Sequence, residues 1–309
     1  MGAKNKSGAN KPEFVFAADL GGTNLRVSTV DRNGKVYCRQ KQPTPQAEKP
    51  NEIVRALLEA VHKCERSTAE QGGVITAVSV VVPGTVNIAE GVVVKAPNVS
   101  CLDGFRLAAA LESELPWPVI LENDANAAAI GERWRGAGQG YKTLICVTLG
   151  TGVGGGIILD GKLWRGVDGS AGEIGHIGVD PFAGVPCMCG SRGCLEVYAS
   201  ATAIVRMTRE ARPRYPNSML HNTEELTSEK VYEAGREGDE LAIEVFRRMG
   251  VYLGIGLASL INILNPEIIV IGGGHAGAEA ATLAAMTWRE RRRARRGDAR
   301  RGGSPEPRR

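Results

Sequence analysis

Three groups of residues in this 309-residue chain have types and spacings suited to chemistry. The first is Glu122-Asn123-Asp124-Ala125-Asn126, where an apolar run gives way to an alanine-rich stretch. A carboxylate at the C-terminal edge of a strand can leave the sheet and accept the proton of an attacking hydroxyl, which makes Asp124 the candidate general base. Asp and Asn at such a junction also serve as helix N-caps, and Asn123 or Asn126 is available for that duty. The second group is a pair of glycine turns, Gly21-Gly22-Thr23 and Gly150-Thr151-Gly152, each following an apolar run. Without a Cβ to block the approach, backbone N–H groups of such turns can converge on phosphate oxygens. The third is His176, Cys187, Cys189 and Cys194, four nitrogen and sulfur donors within nineteen residues of a Gly- and Pro-rich segment. That donor set matches a closed tetrahedral zinc site with no open position for catalysis, so its expected work is to fix the loop.

Two other phosphate-binding devices are excluded. Gly150, Gly152 and Gly155 satisfy the dinucleotide spacing G-x-G-x-x-G, but β-type residues follow where that motif needs a helix. No Gly-Lys-Ser or Gly-Lys-Thr occurs anywhere in the chain, which removes a Walker-type loop. The turns must therefore lie between strands.

The elements that would position these groups are legible from periodicity. Residues 14–19 and 26–30 read as strands on either side of the first glycine turn, and Asn33-Gly34 carries a hairpin signal before a third strand at 36–42. Helical spacing at 51–71, a buried-type strand at 77–82, a short helix at 107–114, a strand at 119–122 and a helix at 125–135 follow. The pattern then restarts with a strand at 143–149, a glycine turn at 150–156, a strand at 157–159 and a hairpin at Asp160-Gly161. Helices at 200–211 and 240–264, then a strand at 268–271 before Gly272-Gly273-Gly274, complete it. Two β-β-β-α-β modules, each offering a glycine turn, are the expected architecture. The expected layout is an N-terminal tail at 1–13, a small domain at 14–136, a large domain carrying the zinc loop at 137–286, and an Arg-rich tail at 287–309.

Composition excludes whole classes of function. No apolar run approaches the roughly 18 residues of a membrane span, and no secretory leader opens the chain, so neither a membrane protein nor a secreted one is expected. The formal charge of +4 arises from residues 288–309, where ten Arg face Glu290, Asp298 and Glu306; the rest sums to −3. A slightly acidic body argues against nucleic acid as partner. Seven cysteines, three of them in the candidate metal set, suit a reducing cytoplasm, with Cys38, Cys64, Cys101 and Cys146 expected as small core residues.

These motifs, in this order, resemble the ROK family (repressor, open reading frame, kinase), near its bacterial glucokinases. The residues that carry the resemblance are Asp19-Leu20-Gly21-Gly22-Thr23-Asn24, Leu121-Glu122-Asn123-Asp124-Ala125-Asn126, Leu149-Gly150-Thr151-Gly152-Val153-Gly154-Gly155-Gly156, Glu173-Ile174-Gly175-His176 and the run from Cys187 through Cys189 and Cys194 to Glu196. The resemblance implies an actin-like ATPase (ribonuclease H-like) α/β fold, Mg-ATP as cosubstrate, a hexose in a cleft between two domains, and a homo-oligomer, dimer or tetramer. It implies that Asp124 deprotonates the sugar's 6-hydroxyl and that Glu173, His176 and Glu196 bind the ring hydroxyls, with Asn98 and Asn123 as further contacts. His176 would face the sugar through one ring nitrogen and Zn2+ through the other. Asp19 would act near Mg2+, Gly21, Gly22, Thr23, Gly150, Thr151 and Gly152 would cradle the phosphates, and Gly272 and Gly273 would lie by the adenosine.

Glucose is the expected hexose; N-acetylglucosamine, N-acetylmannosamine or fructose is the alternative, and polyphosphate the alternative donor. A sugar-sensing repressor of the same family would carry a winged helix-turn-helix before the first glycine turn, and thirteen residues precede Phe14. A sugar-binding protein without catalysis is the remaining rival, against which Asp124 speaks. The family pattern breaks after Gly274: a helix is expected at 276–286, then an Arg, Gly and Pro mixture too poor in apolar residues to bury and expected to be disordered.

Overall fold

The computed structural model describes residues 11–273. Residues 1–10 of the tail expected at 1–13, the helix at 276–286 and the Arg-rich tail at 287–309 lie outside the described residues, and Glu13 belongs to the first strand rather than to the tail. The packing divides the chain into two units: the described residues up to Gly131 together with Arg165–Ala171, and Glu132–Trp164 together with the described residues from Gly172 onward.

The first unit opens with β1 (Glu13–Leu20), β2 (Asn24–Asp31) and β3 (Val36–Pro43), followed by α1 (Pro50–Ala69), β4 (Val74–Val82), β5 (Thr85–Asn87), β6 (Val92–Lys95), α2 (Leu107–Glu112), β7 (Val119–Asn123) and the start of α3 (Asp124–Arg135). Its main sheet has the order β3-β2-β1-β4-β7, antiparallel through β3-β2-β1 and parallel through β1-β4-β7. Alternation in β1 puts Phe14, Phe16, Ala18 and Leu20 on a buried face. Against the sheet α1 lays Ile53, Leu57, Ala60, Val61 and Cys64, spaced by threes and fours along one stripe. Burying a side chain of that size contributes about 1.5–3 kcal/mol, so the stripe is what keeps α1 in place.

The second unit contains the rest of α3, then β8 (Leu144–Leu149), β9 (Val153–Leu159), β10 (Lys162–Trp164), α4 (Glu196–Ala199), α5 (Ala201–Ala211), α6 (Ser228–Arg236), α7 (Glu240–Leu264) and β11 (Ile268–Gly272). Its sheet order, β10-β9-β8-β11, reproduces β3-β2-β1-β4, with an antiparallel triplet and then a parallel strand. The repeat expected from the sequence is thus present in strand order and strand direction. Helices start where side chains cap them: Ser200 Oγ, Thr227 Oγ1 and Asp239 Oδ1 accept from the backbone N–H of Ala203, Lys230 and Ala242 at 3.1, 3.2 and 3.0 Å. Asn265 ends α7 in the left-handed region, φ 42°.

Three expectations need correction. The second glycine turn spans only Gly150–Gly152, because Gly154, Gly155 and Gly156 lie inside β9, paired with Thr148, Val147 and Cys146. Small residues are needed in that strand: a Cβ on Gly155 would overlap the Ile174 side chain and the Gly172 carbonyl. The Asn33-Gly34 hairpin is wider than a two-residue turn. Only Gly34 takes a positive φ, 77°, while the Asp31 carboxylate accepts from the N–H of Asn33 and Lys35 at 2.8 and 2.9 Å. Cys38 and Cys64 are buried as expected, but they pair across the β3–α1 interface as a disulfide, with Cα atoms 5.5 Å apart. Cys146 is a core thiol, pushed up to about 11 by burial.

Candidate functional site

In the first unit the functional groups collect at the C-terminal ends of β1 and β7. Asp19, one residue before the end of β1, is paired with Arg26 Nη1 on β2 at 2.7 Å, both about half exposed. The turn that follows is closed by Gly21 N–H donating to Asn24 O at 3.0 Å, and the Thr44 N–H holds the Thr23 carbonyl at 2.9 Å. Asn98 packs over this turn so closely that a Cβ on Gly22 would lie 2.8 Å from the Asn98 Cβ.

Between Asn123 and Asp124 the strand β7 becomes the helix α3. The cap is Asn123, whose Oδ1 accepts from the Asn126 N–H at 3.0 Å, while its Nδ2 donates to the Gly84 carbonyl at 2.9 Å and to Asp124 Oδ1 at 3.1 Å. That relieves Asp124 of capping and settles the choice the sequence left open between Asn123 and Asn126. Asp124 is the first residue of α3, its Oδ1 also meeting the Ala125 N–H at 2.9 Å. The residue keeps an exposed side, yet protein atoms crowd its carboxyl. That desolvation lifts its pKa above the usual carboxylate range, the Ala125 and Asn123 donors oppose the lift, and the negative charge of Asp19 adds to it. A carboxylate of raised pKa beside open solvent is a better proton acceptor than an ordinary Asp.

Glu122 belongs to the first motif but carries no role from the sequence alone, and it proves to be the most buried acid of this region. Its Oε2 accepts from Arg165 Nε and Nη2 at 3.0 and 2.6 Å, and its Oε1 from the Asn123 N–H and Asn126 Nδ2 at 3.1 and 3.2 Å. An acid closing an otherwise apolar strand was the available signal.

In the second unit the strand ends again gather the marked residues. Gly150 N–H bonds the Gly152 carbonyl at 2.9 Å, and Thr202 Oγ1 donates to Thr151 O at 2.9 Å. Glu196 Oε2 accepts from the Val153 N–H at 2.9 Å and occupies the space a Cβ on Gly152 would need. Gly272 pairs with Thr148 in the sheet, and Gly273, φ 126°, lies against the Leu149 backbone, where a side chain would overlap its carbonyl. Gly150–Gly152, Gly272, Gly273 and Glu196 are thus brought to one end of this sheet.

Glu173 and His176 belong to a short turn between β10 and α4, with Glu173 Oε2 4.0 Å from His176 Nε2. The other ring nitrogen, Nδ1, faces Cys187 Sγ at 3.6 Å, and Cys189 Sγ lies 3.6 Å from Cys194 Sγ. All four donor atoms of His176, Cys187, Cys189 and Cys194 lie within 4.8 Å of one another. Ligands about 2.0–2.3 Å from a tetrahedral zinc sit about 3.6–3.8 Å apart, so the donor set fits that ion.

Among the described residues no helix is long and apolar enough to cross a membrane. The ROK family matches residues 15–298, reaching past Gly274, where the sequence reading had set the break. A glucokinase of Halalkalibacterium halodurans is 39% identical over 84% of this chain and 80% of its own length. A solved ROK family glucokinase from Streptomyces griseus, in complex with glucose and AMPPNP, is 36% identical, with a TM-score of 0.75 over 90% of this chain and 89% of that one. A ROK family transcriptional regulator homologous to the E. coli MLC protein gives a TM-score of 0.81 at 30% identity over 90% of this chain and 70% of its own. With the repeated three-strand unit and the glycine turns in place, the fold is that of the actin-like ATPases, and the chain belongs to the ROK family.

Proposed function

We propose that this chain is a glucokinase that transfers the terminal phosphoryl group of ATP to the 6-hydroxyl of glucose. The observation that carries the reading is Asp124: a carboxylate at the start of α3, freed from capping by Asn123 and held with a raised pKa. In phosphoryl transfer the protein positions the reactants and stabilises developing charge, and it needs a base to take the proton of the attacking hydroxyl. Asp124 is that base. Asn98, Asn123, Glu173, His176 and Glu196 bind and orient the sugar. Glu173 and Glu196 accept hydrogen bonds from sugar hydroxyls, and His176 meets the sugar through Nε2 because Nδ1 faces the cysteines.

The phosphates rest on the backbone donors of Gly21, Gly22 and Thr23 and of Gly150, Thr151 and Gly152, with Gly272 and Gly273 beside the adenosine. Asp19, a half-exposed carboxylate, is suited to hold Mg2+ directly or through water. When bound, that ion neutralises charge on the phosphate oxygens. Zn2+ held by His176, Cys187, Cys189 and Cys194 is structural: it fixes the His176 tautomer and the loop that delivers Glu173. We place the protein in the cytoplasm and expect a homo-oligomer, dimer or tetramer.

The test is ADP release over a panel of glucose, fructose, N-acetylglucosamine and N-acetylmannosamine, with ATP and polyphosphate as donors. Glucose with ATP should give the highest kcat/KM. No turnover with any pair would refute the kinase reading, and a different best sugar would refute its substrate.

A further inference from the structure

We propose that Glu122 and Arg165 form a clasp that positions Asp124, a role that rests on the kinase reading above. The Glu122 side chain is 8% exposed and its carboxylate is saturated: two donors from Arg165 on Oε2, the Asn123 N–H and Asn126 Nδ2 on Oε1. Both Oε1 partners lead directly to the base. Asn123 bonds Asp124 Oδ1 and caps the helix that Asp124 begins, and Asn126 presents the N–H that is capped. Arg165, Glu122, the two asparagines and Asp124 therefore form one connected chain of hydrogen bonds.

Two observations favour positioning over simple stabilisation. Glu122 is buried but the Arg165 side chain is 40% exposed, and an ion pair so open to water adds little stability, so the geometry it imposes on Glu122 is the larger part of its effect. Asn126 is 3% exposed, gives its amide nitrogen to Glu122, and leaves its Oδ1 buried with no partner among the described residues. A helix start serving only the fold would avoid that cost with an apolar residue, and unsatisfied buried polar atoms call for a functional explanation.

The clasp also fastens a particular piece of chain. Trp164 ends β10 in the second unit, Arg165–Ala171 packs with the first, and the chain returns at Gly172. The excursion is a compact loop. Ala171 N–H bonds Arg165 O at 3.1 Å, Asp168 Oδ1 accepts from the Ser170 N–H at 3.1 Å, and Gly169 sits at φ 90° with its Cβ position 3.0 Å from Val86 O. Glu173 and His176 follow within five residues of Ala171. Along the chain these residues follow a loop anchored at Glu122, which is next in sequence but one to the base.

The experiment compares Arg165→Met, Arg165→Lys, the double variant Glu122→Gln/Arg165→Met and Asp124→Ala in the full chain, with the exposed Arg247→Met as control, measuring kcat, glucose KM and thermal midpoint. Displacing a catalytic group by about 1 Å can cost about 100-fold, so Arg165→Met should lower kcat about 10- to 100-fold while glucose KM changes less than about threefold. Arg165→Lys, which keeps the charge on one nitrogen in place of the two that now meet Glu122, should recover part of the loss. The double variant should be no slower than Arg165→Met, because the pair acts as a unit. Arg247→Met should match wild type. A kcat for Arg165→Met within twofold of wild type, or a loss that follows only the folded fraction, would overturn the clasp. If Arg165→Met does not fold, Arg165→Lys carries the test: reduced kcat at unchanged thermal midpoint supports the clasp, and wild-type kcat overturns it. Asp124→Ala separates the two readings. An active Asp124→Ala removes the base that the clasp would position, no turnover by wild type with any sugar sinks the kinase assignment itself, and an inactive Asp124→Ala beside a fully active Arg165→Met sinks only the clasp.

Discussion

Replacing Asp124 by Asn removes the proton acceptor and little else. An Asn Oδ1 can still accept from Asn123 Nδ2 and the Ala125 N–H, which now hold the carboxylate at 3.1 and 2.9 Å, so the helix start should survive. General-base assistance is worth about 10²- to 10⁴-fold, or about 2.7–5.4 kcal/mol of barrier at about 1.36 kcal/mol per decade, and kcat should fall by that factor while glucose still binds. The same substitution should change stability in the opposite sense. Desolvation, helped by the Asp19 charge, raises the folded-state pKa of Asp124 above its unfolded value of about 3.9, so ionised Asp124 costs stability at neutral pH. The native state then binds a proton before the unfolded state does. Wild type therefore recovers stability as pH falls through the folded pKa towards about 4, and the advantage of Asp124→Asn over it should shrink across that window. Coupled ADP-release kinetics and thermal midpoints measured every half unit from pH 4 to 8 check both claims. Turnover above half of wild type would remove Asp124 from the base role. A variant less stable than wild type at pH 7 would refute the desolvation argument.

Elemental analysis should find about one zinc per chain, as a four-ligand nitrogen and sulfur site requires, and Cys187→Ser should lower both metal content and glucose affinity. Metal-free protein with wild-type glucose binding would break the proposed link between that loop and His176. Asp19→Asn should shift the acid limb of the kcat/KM profile to lower pH, because the Asp19 charge is one of the influences that raise Asp124; an unmoved limb would contradict this. Asp239 caps α7 and also accepts from the Met219 N–H at 2.8 Å and Ser218 Oγ at 3.0 Å, so Asp239→Ala should cost about 2–4 kcal/mol in urea unfolding, and a loss under about 0.5 would show that these bonds contribute little.

What the sequence determined by itself was whatever depends on near neighbours along the chain. The strands flanking Gly21–Thr23 and Gly150–Gly152, the helix stripe from Ile53 to Cys64, the bounds of α7 and the repeat of the three-strand unit follow from periods of two and 3.6, which any short window displays. The four metal donors were equally legible, because nineteen residues of one loop contain them all. Tertiary structure alone decided the pairings between distant residues. Nothing local marks Cys38 as the partner of Cys64, Asn98 as the cover of Gly22, or Arg165 as the partner of Glu122, forty-three residues away. Local spacing likewise could not choose between Asn123 and Asn126 as cap, since the choice turns on Asn126 being committed to a buried carboxylate. Even a glycine inside β9 has its reason outside the strand, in Ile174 and Gly172, which leave no room for a Cβ on Gly155. Side-chain type and spacing limit what a segment can form, but the partner that satisfies a buried charge is chosen only when distant segments exclude water together.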